Sequence, residues 1–354
     1  MNSIDDLVEF LRHEEPILNG HLAGSNLSGL DLTGVTFLQT DLSGADFTGA
    51  TLSQTVFTGC SLQGARFQDM DVDQAIFTRC DLSDANLAGC RLDKTSMVEG
   101  SLEGAKLTGA SLISSHLVNT DLKGADLCSV ALINSALIEC GTQDLDLSDA
   151  VIEASALVGM NLAEVGFQHV VCHSAMFIRC DLTGIDFSGT PVMQCTFLES
   201  DMAGCRFERA DLSGSLLIGS QLKGSSFAEA IAETTLFCNA DLQEAVFSGA
   251  RLAMANFTGS DLRMANLSSS ACEKGQFGGA DCRGTQFAGS TMTLANFSHA
   301  NLDGADLSQT ALHLADFHNT SVESTLTAGV QGTVRQTDQQ RLICELYDPQ
   351  TVES

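Results

Sequence analysis

The sequence has no tryptophan, one tyrosine (Tyr347) and three prolines, and its 17 Lys and Arg face 45 Asp and Glu. So few cations, with a formal net charge of −28, argue against direct nucleic-acid binding, which needs clustered Lys and Arg. No run of about 18 apolar residues is present, so no membrane-spanning helix is expected. Residues 1–30 lack a basic stretch followed by an apolar one, so no signal peptide is expected either. The 13 Cys follow no disulfide-framework spacing, which fits a reducing compartment and a cytoplasmic address. Also missing are a P-loop, a GxGxxG between strand and helix, and any nucleophile–base–orienter set. Neither an enzyme nor a bound cofactor is expected.

What is present is a period. From Leu22, steps of five meet Leu27, Leu32, Phe37, Leu42, Phe47 and so on to Phe317 and Val322, 61 positions without an insertion. Eighteen of the 19 Phe fall in this register, Phe10 being the exception. Two residues before each centre the side chain is mostly small (Ala45, Ala65, Ser115, Cys180). One before it, Asp or Asn is common (Asp41, Asp46, Asn86), and two after it stand 24 of the 32 Gly. A small and a large apolar residue two apart point to one side of an extended backbone. Gly, Asp and Asn suit the corner that follows. Each five-residue unit is therefore a short edge plus a corner, and the edges share one apolar interior.

The segments "ADFTG", "ADLSG", "ANFTG" and "ADLSQ" resemble the A(D/N)LXX motif of the pentapeptide-repeat family over roughly residues 20–322. The resemblance implies an all-β fold, a right-handed quadrilateral β-helix with twenty residues per coil. Every repeat Phe lies at a number ending in 7, so aromatics occupy two opposite sides and Leu dominates the other two. Fifteen coils about 4.8 Å apart would make a rod roughly 70 Å long. The expected organisation is 1–20 N-terminal capping helix, 21–323 β-helix and 324–354 linker and short helix. Residues 3–12 read as that first helix, with Ser3 and Asp6 as its capping pair, Ile4, Leu7, Val8 and Leu11 on one face, and Pro16 ending it. The last helix would run from Thr337 or Gln340 to Tyr347, with Leu342, Ile343 and Leu346 on its apolar stripe. It reads as a cap for the open edge, or else as a docking or dimer-forming element.

Seven Cys occupy the small inward place and three a centre, where free Cys behaves as a small hydrophobe. Only His169-Val170-Val171-Cys172-His173 hints at metal-ligand spacing, but its Cys points inward and its two His flank a corner. The late His299, His313 and His318 are outward. No metal site is expected at either place. At Gly141-Thr142-Gln143-Asp144-Leu145 the centre is polar, and a local bulge with Leu145 filling the space is expected.

Seventeen Asp precede a centre, where corner hydrogen bonding and solubility are their ordinary roles. The family resemblance also implies an alternative, mimicry of DNA phosphates toward DNA gyrase or another topoisomerase. Arg66, Arg91, Lys106, Lys123, Arg206, Lys223, Arg251 and Arg263 interrupt the acidic columns and argue against it. One outward column is apolar: Val98, Val118, Ile138, Val158, Ile178, Leu198, Ile218 and Cys238, twenty residues apart. Met176, Leu216 and Leu236 stand beside it, with Ile113, Ile133 and Met193 on the next side. The equivalent column on the opposite side (Ala88, Thr108, Cys128, Ser148, Gln168, Ser188, Glu208, Ala228) is far more polar. A strand-propensity effect would treat all sides alike; contiguous apolar surface marks a partner site. The expected function is a non-catalytic scaffold that docks another protein, or a second copy of itself as a homodimer, on this stripe. The repeats are similar in style to bacterial members associated with type VI secretion machinery, which implies an accessory or effector-loading role.

Overall fold

We describe Leu7 and residues 15–346 from a computed structural model. The chain divides into two compact units, Met1–Thr190 and Pro191–Ser354. Each is a parallel β-solenoid in which residue i pairs with residue i+20, so four five-residue units close one turn. Numbering the sides from Leu22, the first carries the centres Leu22 and Leu42, the second Leu27 and Phe47, the third Leu32 and Leu52, and the fourth Phe37 and Phe57.

Elements in the first unit are β1 (Ile17–Leu18), β2 (Thr36–Leu38), β3 (Val56–Thr58), β4 (Ile76–Thr78), β5 (Ser96–Val98), β6 (Ser111–Ile113), β7 (His116–Val118), β8 (Ala131–Ile133), β9 (Ala136–Ile138), β10 (Val151–Glu153), β11 (Ala156–Val158), β12 (Val171–His173) and β13 (Met176–Ile178). They form two parallel stacks, β1-β2-β3-β4-β5-β7-β9-β11-β13 on the fourth side and β6-β8-β10-β12 on the third. The first and second sides carry only single-residue bridges, such as Asp41↔Ser61 and Lys106↔Asp126. The second unit begins with β14 (Val192–Met193) and β15 (Thr196–Leu198). Beyond Leu198 it is built of single bridges, up to Asp316↔Arg335. One helix follows, α1 (Gln339–Leu346).

The interior follows the period. Centres such as Phe57, Leu112, Phe227 and Phe257 are fully buried. Rings stack from coil to coil, Phe37 on Phe57 at 5.1 Å and Phe237 on Phe257 at 4.9 Å, and meet edge-on across the axis, Phe237 against Phe247 at 5.6 Å. Small inward residues do more than fill space. Their hydroxyls donate to the centre carbonyl 23 residues back: Thr55 to Leu32 at 2.8 Å, Thr95 to Val72 at 3.0 Å and Thr285 to Leu262 at 2.7 Å. Each buried hydroxyl thereby avoids the cost of an unmet hydrogen bond and ties one turn to the one before it. The residue two past the centre is left-handed whether or not it is Gly; Gly124 has φ 63° and Leu294 also 63°. Position rather than residue type sets that corner, at a steric cost for Leu of roughly 1–2 kcal/mol.

Several expectations change. The first unit holds about nine turns, the count that twenty residues per turn gives for Met1–Thr190, against the fifteen expected for the whole rod. The second unit begins at Pro191, a residue with no N–H to donate. Of the expected N-terminal helix only Leu7 lies within the described residues, and it is buried. The other end is not covered as expected. Val322 and Leu326, on the last turn, are 49% and 58% exposed, because α1 folds against the fourth side instead. No bulge forms at Gly141–Leu145: the i+20 ladder continues through Asp121↔Gly141 and Asp126↔Asp146. Leu145 is buried as anticipated, and Thr142 stays inside because its hydroxyl donates to the Asn161 carbonyl.

Candidate protein-docking surface

Two local devices decide what each repeat presents outward. Where Asp or Asn precedes the centre, its carboxyl or amide oxygen accepts the N–H of the residue after the centre. Asp41 takes Ser43 N–H at 3.0 Å, Asp146 takes Ser148 N–H at 2.8 Å and Asn256 takes Thr258 N–H at 2.9 Å. That bond closes a tight turn, and the repeat is a single bridge plus a turn. None of the three-residue strands begins with Asp or Asn; they begin with Thr, Val, Ile, Ser, His, Ala or Met. There the residue after the centre stays in the ladder and its side chain stands on the sheet, a place that favours β-branched residues.

In the first unit this places Val98, Val118, Ile138, Val158 and Ile178 on β5, β7, β9, β11 and β13, paired in direct register. All five are half-buried, between core and full exposure. Around them Ile76, Val151, Val171 and Met176 are each 38–40% exposed, and Ile113 and Ile133 are paired and half-buried on β6 and β8. The result is an apolar surface on two neighbouring sides of the same turns. Apolar surface of that extent is unusual on a monomer. The matching column on the second side holds Thr108, Ser148 and Gln168, with Ser148 donating to Gln168 at 2.6 Å.

The second unit carries the rest of the stripe in a different form. Leu198 is on β15 and 39% exposed. Ile218 and Cys238 lie in turns and are half-buried, while Leu216 and Leu236 are bridge residues paired with each other. Met193, on β14, is half-buried. The eight-residue column is therefore not one strand surface: six members are on strands, whereas Ile218 and Cys238 lie in turns. Four apolar side chains that the sequence reading passed over are also exposed here: Met254 (51%), Met264 (62%), Leu294 (40%) and Leu314 (39%). All sit at the left-handed corner place where Gly is common, and that misplacement was the available signal.

Part of the acidic surface is held by local bonds. Asp261 holds Arg263 at 2.6 Å and Asp281 holds Arg283 at 2.6 Å, so one acidic run of the second unit is paired off. Asp41, Asp46 and Asp306 lie below the usual carboxylate range because Ser43, Thr48 and Ser308 donate to them.

The His169–His173 segment is not brought together: Cys172 is in the core, and the exposed His169 sits 3.3 Å from Asp149. The late His residues behave differently. His299 and His318 place Nε2 3.1 and 3.0 Å from Glu345 of α1, while His313 lies elsewhere. Glu345, beyond the repeats, was not legible as their partner. Three such groups within 4.8 Å could suggest a metal site. The second nitrogen decides otherwise. His318 Nδ1 accepts the Asp338 N–H at 3.1 Å, so the ring proton is on Nε2 and is donated to Glu345. A metal-bound His instead gives away its other N–H. Arg341 adds bonds to Glu345 at 2.7 Å and Asp316 at 3.4 Å, so α1 is held on the fourth side of the last turns by polar contacts.

Among the described cysteines only Cys128 and Cys238 are partly exposed. Burial pushes Cys90 up to about 11 and Cys272 up to about 12, which makes them inert thiols. No helix among the described residues is long and apolar enough to cross a membrane.

With the geometry in view, a family model described as pentapeptide repeats matches residues 19–140, 194–269 and 277–320, well over half of the sequence. No curated protein matches. Similar solved structures include a pentapeptide repeat protein from the cyanobacterium Cyanothece 51142, at 21% identity over 34% of this chain and 90% of that one, TM-score 0.27. HetL, involved in heterocyst differentiation regulation in Nostoc sp. strain PCC 7120, is 19% identical over 88% and 97%, TM-score 0.19. QnrB1, a plasmid-mediated fluoroquinolone resistance protein, is 17% identical over 66% and 98%, TM-score 0.32.

Proposed function

This chain belongs to the pentapeptide-repeat family, and on that footing we propose that it is a non-catalytic, cytoplasmic scaffold that docks a protein partner on the strand-built sides of its first unit. The observation that carries this is the outward row Val98, Val118, Ile138, Val158 and Ile178, half-buried on consecutive strands, with Met176, Val151 and Val171 exposed beside it. Hydrophobic area removed from water contributes about 25 cal/mol per Å², so the central residues of such a row can supply several kcal/mol of binding. The partner this row fits is one that lays an apolar face on Val118, Ile138 and Val158.

The DNA-mimic reading stands second. It draws on the net charge of −28, but Arg263 and Arg283 neutralise the Asp261–Asp281 run that would have to pose as phosphates.

Affinity capture from the source cell, followed by hydrogen exchange on the purified complex, tests the proposal. Protection centred on Ser96–Val98, His116–Val118, Ala136–Ile138 and Ala156–Val158 is expected. Protection confined to the acidic columns, with inhibition of gyrase supercoiling, would replace it by the second reading.

A further inference from the structure

Resting on that reading, we infer that the partner element on the fourth side of the first unit is an amphipathic α-helix with a basic flank, laid along the stack and across its strands. Three observations carry this. The first is spacing. Outward residues repeat about every 4.8 Å along the stack, and a helix repeats every 5.4 Å, so one apolar side chain per turn can seat between successive coils. Val98 to Ile178 spans four such steps, roughly 19 Å, which a helix of about 13 residues covers. The second is charge. Arg179 takes the corner place beside Ile178, but beside Val98 and Ile138 it is held by Glu99 and Glu139, which are exposed and make no ion pair among the described residues. They line one edge of an apolar strip, the pattern that a helix with Lys or Arg beside its apolar face complements.

The third is a precedent in the second unit. There α1 lies against the same register positions of the fourth side: Arg341 bonds Asp316, one before the centre, and Glu345 bonds His318, one after it. His318 is 1% exposed and Ser298, twenty residues earlier, 7%. A helix therefore already covers the outer face of this side where its residues are polar, using a basic side chain against a solenoid carboxylate. In the first unit the places one after the centre, Val98 to Ile178, are apolar, and the helix they suit is apolar where α1 is polar.

The probe is a synthetic 14-residue peptide with Leu at positions 2, 6, 9 and 13 and Lys along one flank, compared with a scrambled peptide of the same composition, against the full chain by calorimetry (peptide dimensions follow from about 1.5 Å per residue). The patterned peptide should bind and the scrambled one at least about tenfold more weakly, a difference of about 1.4 kcal/mol. Val118→Ser with Ile138→Ser, and separately Glu99→Lys with Glu139→Lys, should each weaken binding about tenfold. Asp69→Lys with Asp144→Lys, the same charge change on other sides, should leave it within about twofold. Equal binding of both peptides, or insensitivity to the first two pairs, overturns the inference. So does a dimer of this chain that dissociates when residues 337–354 are removed, which would make the occupant α1 of a second copy. If captured partner protects the strands while the peptide fails, the scaffold reading stands and the helix alone is wrong.

Discussion

The leucine-cored turns of the first unit and the phenylalanine-cored turns of the second have the same buried centres and opposite exteriors. Between Phe77 and Phe167 there is no Phe, and the columns Met97, Leu117, Leu137, Leu157 and Leu112, Leu132, Ile152 fill the interior completely. These turns carry β5 to β11 and present Val and Ile outward. From Phe207 to Phe297 the rings stack at 4.5–5.0 Å, every side ends in a turn, and the outward residues are mostly Ser, Thr, Asn, Gln or charged. Within the first unit the residue one place before the centre separates strand from turn: Asp and Asn fold the chain into a turn, whereas Ala, Val, Ile and Met leave it extended. In the second unit Leu216, Ile231, Leu236, Val246, Ala271 and Ala311 lack that acceptor and still open turns, and nothing in their side chains explains it. Core and surface are thus written at different positions of the same five residues, so one unit can hold its fold while its exterior is given to binding.

The largest effects should fall where the two regions are alike. Phe57→Ala in the first unit and Phe257→Ala in the second each remove a ring stacked on both neighbours. Each should cost about 3–5 kcal/mol in equilibrium denaturation. A cost below about 1 kcal/mol in either would break the shared inward register.

At the corners the comparison sharpens. Gly124 has φ 63° and open space where a Cβ would stand, so Gly124→Ala tests the backbone alone and should cost about 1 kcal/mol. Ala136→Asp offers β9 the acceptor that the turn-built repeats have. Faster amide exchange at Ala136–Ile138, without global unfolding, is the expected outcome; unchanged exchange would show that the acid does not choose between strand and turn.

Acid should act on the turns through their carboxylates. Hydrogen bonds from Ser43, Thr48 and Ser308 lower Asp41, Asp46 and Asp306 below the unfolded value. Their contribution is complete above about pH 4 and is lost as pH falls further. Asp41→Asn with Asp46→Asn keeps the acceptor and removes the titration, so the fall in thermal midpoint from pH 7 to pH 3 should shrink. A fall as steep as in the parent protein would place the acid sensitivity elsewhere. Native alkylation should distinguish the described cysteines in the same spirit: Cys128 and Cys238 label first, and labelling of Cys60 or Cys80 at their rate would show that the interior is open.

The period carried most of the fold. A spacing of five with 18 of 19 Phe in register leaves few arrangements in which those Phe all face one interior, and the paired column Val98–Ile178 was legible from twenty-residue spacing alone. Other features escaped because they depend on bonds rather than patterns. The inward Ser and Thr read as merely small, yet they tie turn to turn. Ile218 and Cys238 read like Ile178, yet the backbone around them turns. The position of α1 rests on Glu345 meeting His299 and His318, 46 and 27 residues away in sequence, which no periodicity encodes.

In the proposed function, binding resides on outward residues of strand-built turns and folding does not. Val158→Glu with Ile178→Lys, set beside Ser148→Glu with Gln168→Lys on the polar side of the same turns, measures both in one comparison. Partner affinity should fall at least about a hundredfold for the first pair, some 2.7 kcal/mol, and stay within about twofold for the second, with denaturation midpoints nearly unchanged in both. Equal affinity for the two double variants, or unfolding of the first, would contradict it.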